Sequence, residues 1–315
     1  MQAATACQRL KLWTVLPRNT GLMTAGDVDD DLSCYLFSAS GFSMRNLCSI
    51  LLALSVLIAH AVADMPPDAK PFPELNLEVG KAYAQPTSLI IELGKVPANR
   101  KLNLPRMANV VQQVRWLGET SEAAMKLHSE MTVWTIDLSE PPPGKGMFLE
   151  LVLDAAPLAF TEKVVAAADT DGVIALPAKF ATTHGEKLRF EPQPHKNTVG
   201  YWVVEKDFAE WHFASPKPES YDVEIFQGCG KGHGGSDIEV QIADQKVALQ
   251  VLDTGHFQNF QWRSMGRIQV PAGDDVVLKL VAIKKAAGAV MDCREIRLIP
   301  VTNQDPKLRR SGKDK

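Results

Sequence analysis

Between Asn197 and Asn259 the sequence gathers flat hydrophobic rings and planar polar groups in three short stretches: Asn197, Tyr201 and Trp202; His233 inside a glycine run; and His256-Phe257-Gln258-Asn259. Aromatic faces suit the apolar C–H face of a pyranose ring, and amides and imidazoles suit its hydroxyls. The chemistry on offer is therefore the binding of a hydroxylated ring. Phe260 and Trp262 add further rings, although an apolar strand context assigns Phe260, with Trp211, to the core. Spacing argues against other chemistries. His184, His195, His212, His233 and His256 never stand at zinc-type intervals. No serine sits in a Gly-x-Ser-x-Gly frame, and nothing pairs Asp253 with His256 as acid and base. Gly228 to Gly235 lacks a closing Gly-Lys-Ser/Thr and precedes a strand pattern, so it is a glycine loop between strands and not a phosphate loop.

The elements that must position these residues are strands. Ser88 to Leu93, Val110 to Leu117, Met131 to Leu138 and Phe148 to Leu153 are β-type runs separated by Pro, Gly and Asn. Thr120 to His128 is the one helix-compatible piece, short enough to be only a turn. A second series runs from Lys187 to Glu191, Phe208 to Phe213, Tyr221 to Gln227, Asp237 to Ile242, Lys246 to Val251, Arg267 to Val270, Val276 to Ala282 and Arg294 to Ile299. Val223, Ile225, Ile238, Val240 and Ile242 fall on one face and Glu224, Glu239 and Gln241 on the other. The predicted fold class is all-β, with two tandem antiparallel β-sandwiches of which the second is a jelly roll.

Met44-Arg45-Asn46, the apolar run Leu47 to Ala63 and the small-x-small Ala61-Val62-Ala63 form a secretory signal pattern, which predicts export to the periplasm or the extracellular space. The run is at the lower limit for spanning a bilayer and holds Ser55 and His60, so no membrane span is expected after cleavage. Residues 1–43 show no periodicity and read as a disordered upstream extension outside the working protein. The predicted organisation is then 44–63 signal peptide, 72–158 first sandwich, 159–172 linker, 173–302 jelly roll and 303–315 a disordered basic tail. A formal net charge of −3 provides no basic field for nucleic acid. Cys229 and Cys293, the cysteines left after cleavage, leave two readings open, one disulfide or two buried thiols.

Two resemblances extend this reading. Arg100 to Pro105, Val114 to Gly118, Trp134 to Leu138 and Phe148 to Leu151 resemble, in that order, the small C-terminal β-sandwich domain of α-L-fucosidases, over residues 80–156. The catalytic residues of those enzymes sit on an upstream barrel for which Asp64 to Gly80 leaves no room. From 173 to 301, Leu188 to Glu191, His195 to Trp202, Phe208 to Trp211, Gln227 to Gly232, Gly234 to Ser236, Asp253 to Phe260 and Ala289 to Asp292 are similar to a galactose-binding-like module fused to secreted bacterial sulfatases and fucosidases. They are similar, more distantly, to family 6 and family 35 carbohydrate-binding modules. That likeness implies a galactose-binding-like jelly roll with stacking rings in the Asn197 to Trp202 loop and at Phe257. It also implies a structural calcium ion on Glu191 and Asp292, with backbone carbonyls completing its oxygen ligands; the alternative is a salt bridge from Asp292 to Arg294 or Arg189. Val290 departs from the polar residue, often Asn, of the family pattern. The function implied is non-catalytic recognition of a polysaccharide, with no cofactor required and with association with secreted glycan-degrading enzymes. The alternatives are an enzyme, as part of a fucosidase or sulfatase or as a hydrolase itself, and a surface protein that only makes protein contacts.

Overall fold

The computed structural model describes residues 64–119, 125–142, 146–160 and 163–311. The signal pattern and the upstream extension lie outside them. No helix among the described residues is long and apolar enough to cross a membrane.

The first sandwich packs a five-stranded sheet on a three-stranded one. The larger has the order β1 (Lys70–Pro71), β2 (Lys81–Gln85), β3 (Ser88–Glu92), β8 (Phe148–Leu153), β5 (Val111–Trp116), and the smaller β4 (Lys101–Pro105), β7 (Val133–Asp137), β6 (Lys126–Ser129). Alternation sets which face is buried: Leu102 and Leu104 of β4 and Trp134 and Ile136 of β7 point inward at 0–1% exposure, opposite Leu89, Ile91, Leu149 and Leu151. The end of the stretch expected to turn as a helix is instead strand β6, paired residue for residue with β7 from Lys126↔Asp137 to Ser129↔Trp134. Cross-strand pairing outweighs helix propensity over so few residues.

The second sandwich is a jelly roll of two six-stranded sheets. One has the order β12 (Arg189–Glu191), β13 (Thr198–Gly200), β20 (Asp292–Pro300), β15 (Glu219–Cys229), β18 (His256–Val270), with β10 (Ile174–Pro177) also on β20. The other has the order β11 (Thr182–His184), β14 (Phe208–Ser215), β19 (Gly273–Lys284), β16 (Asp237–Ile242), β17 (Gln245–Gln250), with β9 (Val165–Ala166) parallel to β14. Val223, Ile225, Ile238, Val240 and Ile242 are fully buried between the sheets. Strand β18 begins eleven residues before the expected Arg267, so His256 to Trp262 are strand and not loop. One apolar core runs through both sandwiches. Across their seam the Val111 N–H donates to the Pro192 carbonyl at 2.9 Å, Gln193 Nε2 donates to the Leu127 carbonyl at 2.9 Å, and Lys179 pairs with Asp154 at 2.6 Å.

The segment expected to be a linker contributes strand β9 and an isolated bridge from Ala168 to Ile174. The basic tail is not disordered through Ser311. A 3-10 turn at Pro306–Leu308, capped by Asp305, seats Leu308 against Val173 and Ile299. Arg309 bonds Asp222 at 3.1 Å, and the Arg310 and Ser311 N–H groups donate to the Glu224 carboxylate at 2.9 and 3.2 Å. Glu224, 2% exposed, would be an unpaired buried charge without them.

Candidate functional site

A cavity of about 390 Å³ opens at the rim of the jelly roll. It joins Tyr201, Trp202, His233, Phe257 and Gln258 of the expected ligand set to Glu191 and Asp292 of the expected metal pair, and adds Lys196. Asn197, His256 and Asn259 do not line it. Asn197 takes a positive φ of 42° and donates its N–H to Gln193 O at 2.7 Å, with Oδ1 buried and unpartnered. His256 Nδ1 accepts the Gln258 N–H at 3.1 Å, and Asn259 Nδ2 donates to Thr254 O at 2.6 Å, so both brace the start of β18.

The glycine loop explains how Phe257 reaches the cavity. A Cβ at Gly228 would stand 2.0 Å from the Phe257 carbonyl oxygen, and one at Gly230 would stand 2.5 Å from the Phe257 ring. Only glycine lets β18 and its ring lie this close to β15. Asp253 fixes the adjoining turns by accepting the Gly232 N–H at 2.6 Å and the Gly255 N–H at 2.8 Å. Those bonds hold its carboxyl below the usual range. Thr254 Oγ1 accepts the Cys229 N–H at 2.8 Å and Gln227 Nε2 donates to Leu252 O at 2.9 Å, which tie the same loop to the buried end of β15.

The rings and donors are arranged as follows. Tyr201 is half exposed at φ 60°, with the Arg189 guanidinium 3.8 Å from its ring centre. The Phe257 ring is tilted against His233 at 5.4 Å. His233 Nδ1 accepts the Ala289 N–H at 3.1 Å, which places the proton of the neutral imidazole on Nε2 as a donor. Trp202 is 1% exposed, so its ring is wall and not platform; its Nε1 has no hydrogen-bond partner. Phe260, assigned to the core by its context, is half-buried under the Arg294 guanidinium at 3.9 Å, and Trp262 stacks on Phe226 at 4.6 Å; neither lines the cavity. Trp211 is fully buried. Val290 is also core, its N–H donating to Trp202 O at 2.8 Å, so a polar contact at that position has no counterpart here.

At the base, Glu191 and Asp292 are 7% and 4% exposed. They converge on Gly200, where a Cβ would meet an oxygen of each at 2.9 Å. Lys196 Nζ donates to Glu191 Oε1 at 2.6 Å. Asp292 forms no salt bridge among the described residues, with Arg294 or Arg189 or otherwise; Arg294 donates instead to the carbonyls of His195 and Lys196. Burial, then the Glu191 charge, push the Asp292 carboxyl well above its ordinary range. Calcium takes 6–8 oxygen ligands. Two carboxylates supply hard oxygens, one of which already accepts from Lys196, and no third His, Cys, Asp or Glu joins them among the described residues, so backbone carbonyls would have to complete the shell.

The Lys196 contact with Glu191 escaped the sequence reading, and Arg189, expected as a partner for Asp292, stands beside Tyr201 instead. Their signal is the hairpin register, in which Glu191↔Thr198 and Arg189↔Gly200 fold Lys196 back over Glu191 and set Arg189 beside Tyr201. Cys229 and Cys293 are both free and buried, and burial raises the Cys229 thiol to about 11.

No protein-family model and no curated protein matches the sequence. Among solved structures, an α-L-fucosidase from Vibrio sp. strain EJY3 is 13% identical with a TM-score of 0.31, over 74% of this chain and 42% of the enzyme. This chain thus spans less than half of that enzyme's length. The C-terminal CBM6 of LamC from Zobellia galactanivorans is 18% identical, TM-score 0.33, over 40% of this chain and 98% of the module. A CBM35 from Cellvibrio japonicus Abf62 is 10% identical, TM-score 0.34, over 40% and 92%. Likeness at this level assigns neither ligand nor activity, so the functional reading rests on the cavity.

Proposed function

We propose that this protein is an exported, non-catalytic glycan-binding protein that holds a saccharide in the rim cavity of its jelly roll. The observation that carries the reading is the placing of two accessible rings, Tyr201 and Phe257, around one cavity with the His233 Nε2 donor and the Gln258 amide. The rings supply apolar faces and the imidazole and amide supply hydroxyl partners. The ligand class is a polysaccharide, sulfated or fucosylated, met in company with secreted glycan-degrading enzymes. Export to the periplasm or cell exterior rests on the Met44 to Ala63 pattern. No resident cation is needed: Lys196 supplies the positive charge at Glu191, and calcium would have to displace it.

The enzyme reading has one observation in its favour, the paired carboxylates Glu191 and Asp292. Lys196 holds the first, and both are buried, which suits a structural base more than a pair working on a glycosidic bond. A glycan array with the purified chain, followed by calorimetry on Phe257→Ala and Tyr201→Ala, tests the proposal. Each variant should lose about 1–3 kcal/mol, by analogy with other ring-stacking sites. A silent array, or variants that bind like the parent, refutes it. Turnover of a fluorogenic fucoside or an aryl sulfate that survives chromatography establishes the enzyme instead.

A further inference from the structure

A larger cavity, about 650 Å³, lies in the seam between the sandwiches and shares no residue with the rim cavity. Arg106 and Thr132 line it from the first sandwich, His184, Glu210 and His212 from the second, and Phe160 from the segment that joins them. Arg106 is 2% exposed. Its Nη2 donates to the Lys179 carbonyl at 3.2 Å, but Nε and Nη1 are buried without an acceptor. The guanidinium lies between two aromatic rings, 3.9 Å from the Phe160 centre and 5.1 Å from that of Phe190. Among the described residues no carboxylate pairs with it.

Cation–π contacts offset part of the cost of this burial, yet they leave the in-plane N–H groups bare. Burial lowers the Arg106 pKa to about 9, which still leaves it charged at neutral pH. Elsewhere in the seam the acidic groups lie beside imidazole or ammonium groups. Glu210 Oε1 faces His184 Nε2 at 3.1 Å and His212 Nε2 at 3.8 Å, and His212 Nδ1 meets Asp275 Oδ1 at 2.6 Å. Asp275 also holds Lys163, and Asp154 holds Lys179. The molecule thus keeps a planar, fork-shaped cation at the wall of a cavity while its nearby carboxylates serve other partners. Native structures rarely leave buried donors of this kind unmade, and a guanidinium fork matches an oxyanion.

We infer that the seam cavity is a second binding site, specific for an oxyanion group, carboxylate or sulfate, seated on Arg106. The inference does not depend on what the rim cavity holds.

The full-length chain, with arginine side chains labelled with nitrogen-15, is titrated with sodium acetate or sodium sulfate against sodium chloride at equal ionic strength. The Arg106 Nε–H resonance is followed beside the melting temperature. A saturable shift of that resonance, with a rise in Tm beyond that given by chloride, is expected from at least one oxyanion; whichever of the two saturates first identifies the group as carboxylate or sulfate. Arg106→Lys keeps the cation without the fork and should weaken binding at least tenfold. Thr132→Phe, which fills the cavity mouth and leaves Arg106 in place, should abolish the shift and decides the matter should Arg106→Lys fail to fold. Phe257→Ala should change neither readout. A resonance that responds to all three salts alike, or a response removed by Phe257→Ala and kept by Thr132→Phe, overturns the inference.

Discussion

Replacing Lys196 by methionine keeps most of the side chain's volume and removes only its charge. What remains is Glu191, whose side chain is 9% exposed, beside the buried Asp292 and without its ion-pair partner. Breaking a buried pair from one side costs about 3–5 kcal/mol, and because the Lys196 side chain is 32% exposed the loss should fall near the lower end, about 3 kcal/mol. For a folded unit of this size that is a drop in Tm of roughly 6–12 °C. The variant also offers what the parent lacks, two buried carboxylates and no competing ammonium. Calcium should therefore raise the Tm of Lys196→Met and leave the parent unmoved, and the double variant Glu191→Gln with Lys196→Met should recover most of the loss without the ion. Differential scanning calorimetry in chelator and in calcium gives all four comparisons. If chelator lowers the Tm of the parent as far as the substitution does, a divalent cation and not Lys196 neutralises this base, and the reasoning fails.

Two further outcomes follow from the same cavity. Asp292 binds a proton in the folded state that the unfolded chain releases from about its ordinary value of 3.8, so its contribution is full below that pH and is lost as the pH rises through the raised folded value. Asp292→Asn should flatten this part of the stability–pH curve and melt no lower than the parent at neutral pH; a lower Tm there contradicts the upward shift of this carboxyl. Gly230→Ala puts a methyl group 2.5 Å from the Phe257 ring, and should weaken glycan binding as much as Phe257→Ala in calorimetry, whereas unchanged affinity would show that the ring's position is immaterial.

The sequence made the sheets legible because a period of two is imposed by the pleat and is read without knowing the partner strand. Val223 and Ile225 against Ile238, Val240 and Ile242 are core by that rule alone. It fails where the deciding contact is distant. Lys126 to Ser129 takes strand geometry because β7 lies beside it, and the basic tail is ordered because Glu224, on the outer face of β15, needs donors. The rim residues divide by the same logic. Residue type alone nominates Tyr201, His233 and Phe257 as ring and donor, and equally nominates Asn197, which lies outside the cavity, and His256 and Asn259, whose side chains turn out to brace the backbone.

Electrostatic partners are the hardest to foresee, and they decide what the cavity can do. Glu191 and Asp292 look alike in a sequence. In the fold Glu191 is held by Lys196 while burial raises the Asp292 carboxyl, because the β12–β13 hairpin returns an ammonium to only one of them. Glu191 is thereby paired within the base of the cavity, and a hydroxyl-rich ligand can settle over it without the desolvation cost that two bare carboxylates would impose. That balance joins the ion pair to the proposed recognition of a saccharide, since a charged base would favour a cation where rings and amides favour a sugar.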